Sequence, residues 1–265
     1  MALQQLEYRL WDAVQRIEAD YGEVVSVRNK RKTLLKFGDN ENVGTARTTV
    51  MTLPIGITNE TYISTNEIDT ISSADAGDDQ LVIVEGHTLS NGEFTFKIQN
   101  AILNGQNKVT LDTPLARCTR VYNADSTDLT GPVYVYQDTA ITSGVPNDGT
   151  KVHLIVPSGD NQSKKASTTI SKNDYWIITN IYASVLEKSS AFADVQLEFR
   201  QNGFVFRPFF DISISSNSGT IQLDLDPCII VPSNSDVRMT ALAGAANIHV
   251  TAGINGYLAS AGGVM

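Results

Sequence analysis

Residues 174–186 read DYWIITNIYASVL, and their alternation sets the expected architecture of the chain. Aromatic and β-branched residues dominate, and neither Gly nor Pro interrupts them, which favours a long strand. Side chains alternate between faces along a strand. Trp176, Ile178, Asn180, Tyr182 and Ser184 share one face, and Ile177, Thr179, Ile181, Ala183 and Val185 share the other. The second set is the more apolar and reads as the core face. Downstream, ADVQLEF, FVFRPFF, DISIS, TIQLDL, CIIV, DVRMTAL and NIHVTAGINGYLA read as further short strands. Arg200-Gln201-Asn202-Gly203-Phe204 reads as a hairpin turn, because Asn-Gly accepts positive φ at low cost. Eight or nine short strands in this space predict an antiparallel β-sandwich of jelly-roll type over 158–265.

Upstream, residues 57–157 predict a first antiparallel β module. Ile68, Ile71, Leu81 to Val84, Phe94, Val109, Leu111 and Val121 mark its strands, with turn signals SADAGDD, SNGE, NGQN and NADS between them. GEFTFKIQ alternates so that Phe94, Phe96 and Ile98 share a face. The polar, breaker-rich segment PSGDNQSKKAS, 157–167, is the expected linker.

Residues 1–56 differ from both modules. Leu3, Leu6, Leu10, Val14 and Ile17 recur at helical spacing, with Trp11 beside them, and predict an amphipathic helix ending near Gly22. Such a helix is marginal alone, so its stripe needs a partner. An extended arm follows, carrying the cations Arg28, Lys30, Arg31 and Lys32. Residues 1–50 hold 8 Lys/Arg against 7 Asp/Glu, whereas the whole chain of 265 residues has a formal charge of −9. An acidic body argues against nucleic acid as partner, since phosphate contacts need clustered cations. The basic run reads as a protein-docking element. The N-terminus lacks the apolar core of an export signal, and no segment approaches the roughly 18–20 apolar residues of a membrane span.

Chemistry is sparse. His87, His153 and His249 stand apart in sequence, with no metal-ligand spacing. No nucleophile elbow, P-loop or dinucleotide fingerprint occurs. No carboxylate pair stands out for glycoside hydrolysis. No enzyme activity, cofactor or metal is therefore expected. Asp75, Asp78 and Asp79 are the first candidates if calcium binds at all, but such loops are also ordinary turn chemistry. Cys118 and Cys228 read as free thiols. Trp176 and Tyr182, if exposed together, would form a glycan platform; the competing reading places them in a subunit contact.

In layout the chain resembles virion structural proteins of tailed bacteriophages. The resemblance is carried by LEYRLWDAVQRIEADYG, the arm through TARTTVMTLP, the module IDTISSADAGDDQLVIVEG with GEFTFKIQNAILNGQNKVTLDTPLARCTRVYN, and a terminal sandwich ending VPSNSDVRMTALA and HVTAGINGYLA. The nearest type is the capsid decoration (cement) protein. The resemblance implies a homotrimer in the virion, assembled in the host cytoplasm, that docks on the major capsid protein through Leu3, Leu6, Leu10, Trp11, Val14, Ile17, Arg28, Lys30, Arg31 and Lys32. A different class, a tail or baseplate module adhering to host glycans, remains open beside it.

Overall fold

The structure is a computed structural model and describes residues 31–186 and 191–260. The expected helical stripe at Leu3, Leu6, Leu10, Trp11, Val14 and Ile17 lies outside the described residues, as do Arg28 and Lys30. The described chain is mainly β and its sheets are antiparallel. In chain order the strands are β1 (Arg31–Val43), β2 (Thr48–Thr49), β3 (Ile68–Ser73), β4 (Leu81–Ser90), β5 (Glu93–Ile102) and β6 (Val109–Leu115). Then follow β7 (Arg117–Asn123), β8 (Val133–Gln137), β9 (Ile141–Thr142), β10 (Val145–Pro146), β11 (Val152–Val156) and β12 (Ser167–Ile170). The last six are β13 (Asp174–Val185), β14 (Phe192–Gln201), β15 (Arg207–Ser215), β16 (Thr220–Val231), β17 (Ser235–Ala243) and β18 (Ile248–Ser260).

The C-terminal sandwich is one long ribbon rolled on itself. β1 pairs with β18, β12 with β17, β13 with β16 and β14 with β15, as the two arms of a hairpin would. Rolling adds β13 to β18 and β14 to β17, which completes a four-stranded sheet, β1-β18-β13-β16, and a five-stranded one, β12-β17-β14-β15 with the short β2 paired to β17. Trp176, Ile178, Ile181, Val195, Leu197, Val237, Met239, Val250 and Ile254 fill the space between them. The hairpin expected at Arg200–Phe204 joins β14 to β15; Gly203 takes φ +84°, and Phe204 N–H donates to Gln201 O at 3.0 Å.

Three details differ from the sequence reading. Residues 31–43, expected as part of an arm, are the first strand of this ribbon and pair from Arg31↔Ala259 to Val43↔Ile248. The module at 57–157 is therefore inserted between the ribbon's first and second strands. Its two connections run side by side: Met51 bridges Lys165, and Ala166 N–H donates to Val50 O at 3.0 Å. The expected linker is thus a packed stalk, with Ser163 and Lys165 buried. β1 crosses this stalk so closely that a Cβ on Gly38 would lie 2.0 Å from Val50 O. Only glycine permits that approach.

The second difference is in β13. A register shift between Ile178 and Asn180 inserts a bulge, which reverses the alternation. Trp176 and Ile178 face the core before it, and Ile181, Ala183 and Val185 after it. Neither simple alternation describes the whole strand.

The inserted module is itself two-layered, with sheets β11-β8-β3-β6 and β5-β4-β7 and a small β9–β10 hairpin. Ile68, Ile71, Val82, Val84, Leu115, Val121, Val135 and Leu154 form its core. The third difference concerns β5. Phe94 is buried, but Phe96 and Ile98 on the same face are 44% and 60% exposed. That face points away from the module's core, which takes Ala101 from the other side of β5, and it becomes the wall of an open cleft.

Candidate functional site

The cleft lies between the two modules and encloses about 540 Å³. Ligand pockets are commonly of this size and commonly sit between domains. β1 contributes Lys32 to Phe37, β4 Glu85 and His87, β5 Phe96 and Ile98, and β7 Thr119 and Arg120. The stalk and β12 add Gln162, Ser163, Lys165, Thr168 and Thr169.

Alternation explains Lys36. Leu34, Lys36, Gly38 and Asn40 share the inward side of β1, so the lysine is carried into the junction and is 7% exposed. Its ammonium donates to Thr119 O at 3.0 Å. Burial lowers its pKa to about 8, with Glu85 opposing the shift and Lys165 and Arg120 adding to it. Lys165, also buried, is better served: it pairs with Glu60 at 2.5 Å and donates to Cys118 O at 2.7 Å. Arg120 lies 3.6 Å from Glu85, donates to Gln162 Oε1 at 2.5 Å and stacks over Tyr122. His87 is buried in β4 with Phe96 edge-on at 5.3 Å, and its Nδ1 has no hydrogen-bond partner. Burial foremost, then the charge of Lys36, pushes its pKa down to about 3, so the ring is neutral at pH 7.

Behind the cleft the modules are locked by a buried charge network. Asp236 on β17 is 0% exposed and takes both arms of Arg117 on β7, Nε at 2.9 Å and Nη2 at 3.0 Å. Arg200 and Thr169 complete its coordination. Tyr62 lies between the two guanidinium groups, 5.0 Å from Arg117 and 4.5 Å from Arg200. A planar guanidinium suits both the bidentate and the stacking contact. Sequence reasoning missed Lys36, Arg117 and Asp236, and it set His87 aside as a lone histidine. Only Lys36 left a signal, a cation at an inward position of an alternating strand.

The residues expected to act are placed as follows. Lys32 is exposed at the rim of the cleft, and Arg31 begins β1 beside it. Trp176 is 0% exposed in the sandwich core and cannot serve as a glycan platform. The bulge turns Tyr182 to the opposite face, where its ring covers Gly253. The pairing of Trp176 with Tyr182 is therefore corrected: the two do not share a face. Asp78 is a buried loop organiser, accepting from Ser73 Oγ at 2.5 Å, Thr130 N at 2.9 Å and Gly131 N at 3.1 Å. Asp75 caps its own turn through Gly77 N. Both oxygens of Asp78 and one of Asp75 thus serve to fold the loop. Cys118 and Cys228 are free thiols, and burial raises the Cys118 pKa to about 12.

Among the described residues, one trio brings possible ligand atoms within 4.8 Å of one another: Asp39 and Glu41 on β1 and His249 on β18. His249 Nε2 is hydrogen-bonded to Asp39, and the Lys164 ammonium stands 3.8 Å from the same carboxylate. A positive group already attends this cluster.

No protein-family model and no curated protein matches the chain. Among solved structures, it is weakly similar to a chain from the infectious bursal disease virus Gx strain, with 10% identity, TM-score 0.26, and coverage of 88% of this chain and 73% of that one. A similar level of likeness links it to the N-terminal CBM22-1-CBM22-2 tandem domain of Paenibacillus barcinonensis Xyn10C, at 12% identity, TM-score 0.24, and coverage of 88% and 94%. A chain from infectious bursal virus derived T=1 particles gives 10% identity, TM-score 0.13, and coverage of 89% and 81%. The chain is thus a mainly β protein whose weak structural neighbours include virus particles and a tandem of CBM22 domains.

Proposed function

We propose that the chain is a non-enzymatic virion structural protein, a homotrimeric capsid decoration protein that docks on the major capsid protein through its N-terminal segment. The observation that carries this reading is the rolled eight-strand ribbon. Its pairing of first with last, second with seventh, third with sixth and fourth with fifth strand is that of a jelly roll, an architecture used by viral capsid domains and by lectins. Because one fold hosts many functions, support must also come from the residues. Buried ion pairs clamp the inserted module to the sandwich, giving a rigid body fit for a shell. The apolar residues from Leu3 to Ile17 and the cations Arg28 and Lys30 precede that body, and Arg31 and Lys32 open its first strand. Tethered contacts of this kind raise effective concentration.

Removing residues 1–56 would also remove β1, so the clean truncation is of residues 1–30. Full-length protein is expected to co-sediment with purified capsids of its virus, and the protein lacking residues 1–30 to lose that binding while keeping its melting temperature. Unchanged capsid binding by the truncated protein would overturn the assignment.

A second reading, adhesion to host-surface glycans, draws its support from the inter-module cleft rather than from Trp176.

A further inference from the structure

Lys36 is a buried ammonium with no counter-charge in contact among the described residues. One of its three donors is used, on the neutral Thr119 carbonyl. Glu85, the carboxylate that attracts it most, is paired with Arg120. Among the described residues no carboxylate lies in ion-pair contact with Lys36. A buried charge is ordinarily paired, because desolvation is costly. Four cations line the cleft, Lys32, Lys36, Arg120 and Lys165, against two carboxylates, Glu85 and Asp174; Glu60 pairs with Lys165 and Glu85 with Arg120, so the excess positive charge is that of Lys32 and Lys36 over Asp174. This positive recess is set in a chain of net charge −9.

The rest of the lining is of two kinds. Phe96 and Ile98 present an exposed apolar wall, although they lie on a strand whose Phe94 is core. Gln162, Thr168 and Ser171 supply amide and hydroxyl groups. An anion alone would not need the apolar wall, and an apolar ligand would leave Lys36 uncompensated. We propose that the cleft binds a carboxylate-bearing pyranose, with the carboxylate at Lys36 and the apolar face of the ring on Phe96 and Ile98.

Lys36 faces Glu85 and His87 from β4, Cys118 and Arg120 from β7, and Lys165 from the stalk. Its pKa of about 8 in the free protein leaves it charged at pH 7, so binding weakens as pH rises through and above that value. The inference is separable from capsid docking, because removing residues 1–30 takes away the docking stripe and leaves every residue of the cleft lining in place.

The test is calorimetric titration of the full-length protein with glucuronate, N-acetylneuraminate and, as neutral control, glucose. Saturable binding of at least one acidic sugar is expected, with a raised melting temperature, and none of glucose. Lys36→Met should abolish that binding without lowering the melting temperature, since it removes an uncompensated buried charge. Phe96→Ala, at a half-exposed position, keeps the question open if the first variant fails to fold, and it should weaken binding. The proposal falls if neither acidic sugar binds, if glucose binds as well as they do, or if both variants bind like the native protein.

Discussion

Asp236 accepts from Arg117, Arg200 and Thr169 without touching solvent, and it joins residues from the inserted module and from both arms of the ribbon. Removing one partner of a buried pair leaves the other charge unpaired and costs about 3–5 kcal/mol. Asp236→Ala should lose stability of that order in urea unfolding, whereas Lys108→Ala, which removes an exposed pair with Asp138, should change little. A second residue-scale outcome follows from the neutral histidines. Burial lowers the pKa of His87 from 6.5 to about 3 and that of His153 from 6.5 to about 4. The unfolded chain therefore binds more protons than the folded one between these values and 6.5. The contribution of these histidines to stability is fully present above their unfolded value of 6.5 and is lost as pH drops toward 4. His87→Gln should flatten that slope in melting temperatures measured from pH 7 to pH 4. Neither Asp236 nor His87 was legible in the sequence: DVRMTAL and VEGHTL look like any alternating strand, and the partners that explain them come from distant segments.

At the level of elements, β1 is the piece on which sequence and structure part most clearly. RKTLLKFGDNENV mixes cations, acids and a glycine, and so reads as an arm. Its inward positions Lys36, Gly38 and Asn40 have meaning only against the stalk and β7. The later strands were legible because their alternation points at a simple apolar core, as in Val195 and Leu197 or Val237, Met239 and Ala241. β13 was legible as a strand but not in its facing, since a bulge leaves no mark in DYWIITNIYASVL. The element-scale expectation is that the chain lacking residues 1–30 folds, while the chain lacking residues 1–43 does not. Deleting β1 strips the edge of β18 and uncovers Val43's neighbours in the core. Circular dichroism and proteolysis of the two truncations compare them directly, and a native-like melt for the shorter chain would contradict it.

Across the whole molecule, the sequence reading found two β modules but placed them in series. The structure nests one inside the other, and nothing local announces nesting, because strand order is set by pairings such as Arg31↔Ala259. The cleft follows from the nesting, since its walls come from β1 before the insertion, β4, β5 and β7 within it, and β12 after it. A charged, ligand-sized recess was therefore invisible to any reading that kept the modules apart.

The same end-to-end pairing has a consequence in time. A ribosome delivers β1 early and β18 last, so the first strand waits unpartnered through nearly all of synthesis. The inserted module can fold meanwhile, because β3 to β8 and β11 pair among themselves. Pairings so distant in sequence are slow to form, and an open edge is a template for aggregation. Lys32, Lys36, Asp39 and Glu41, spread along that waiting strand, are the charges that would keep nascent chains from zipping to one another before the last strand arrives.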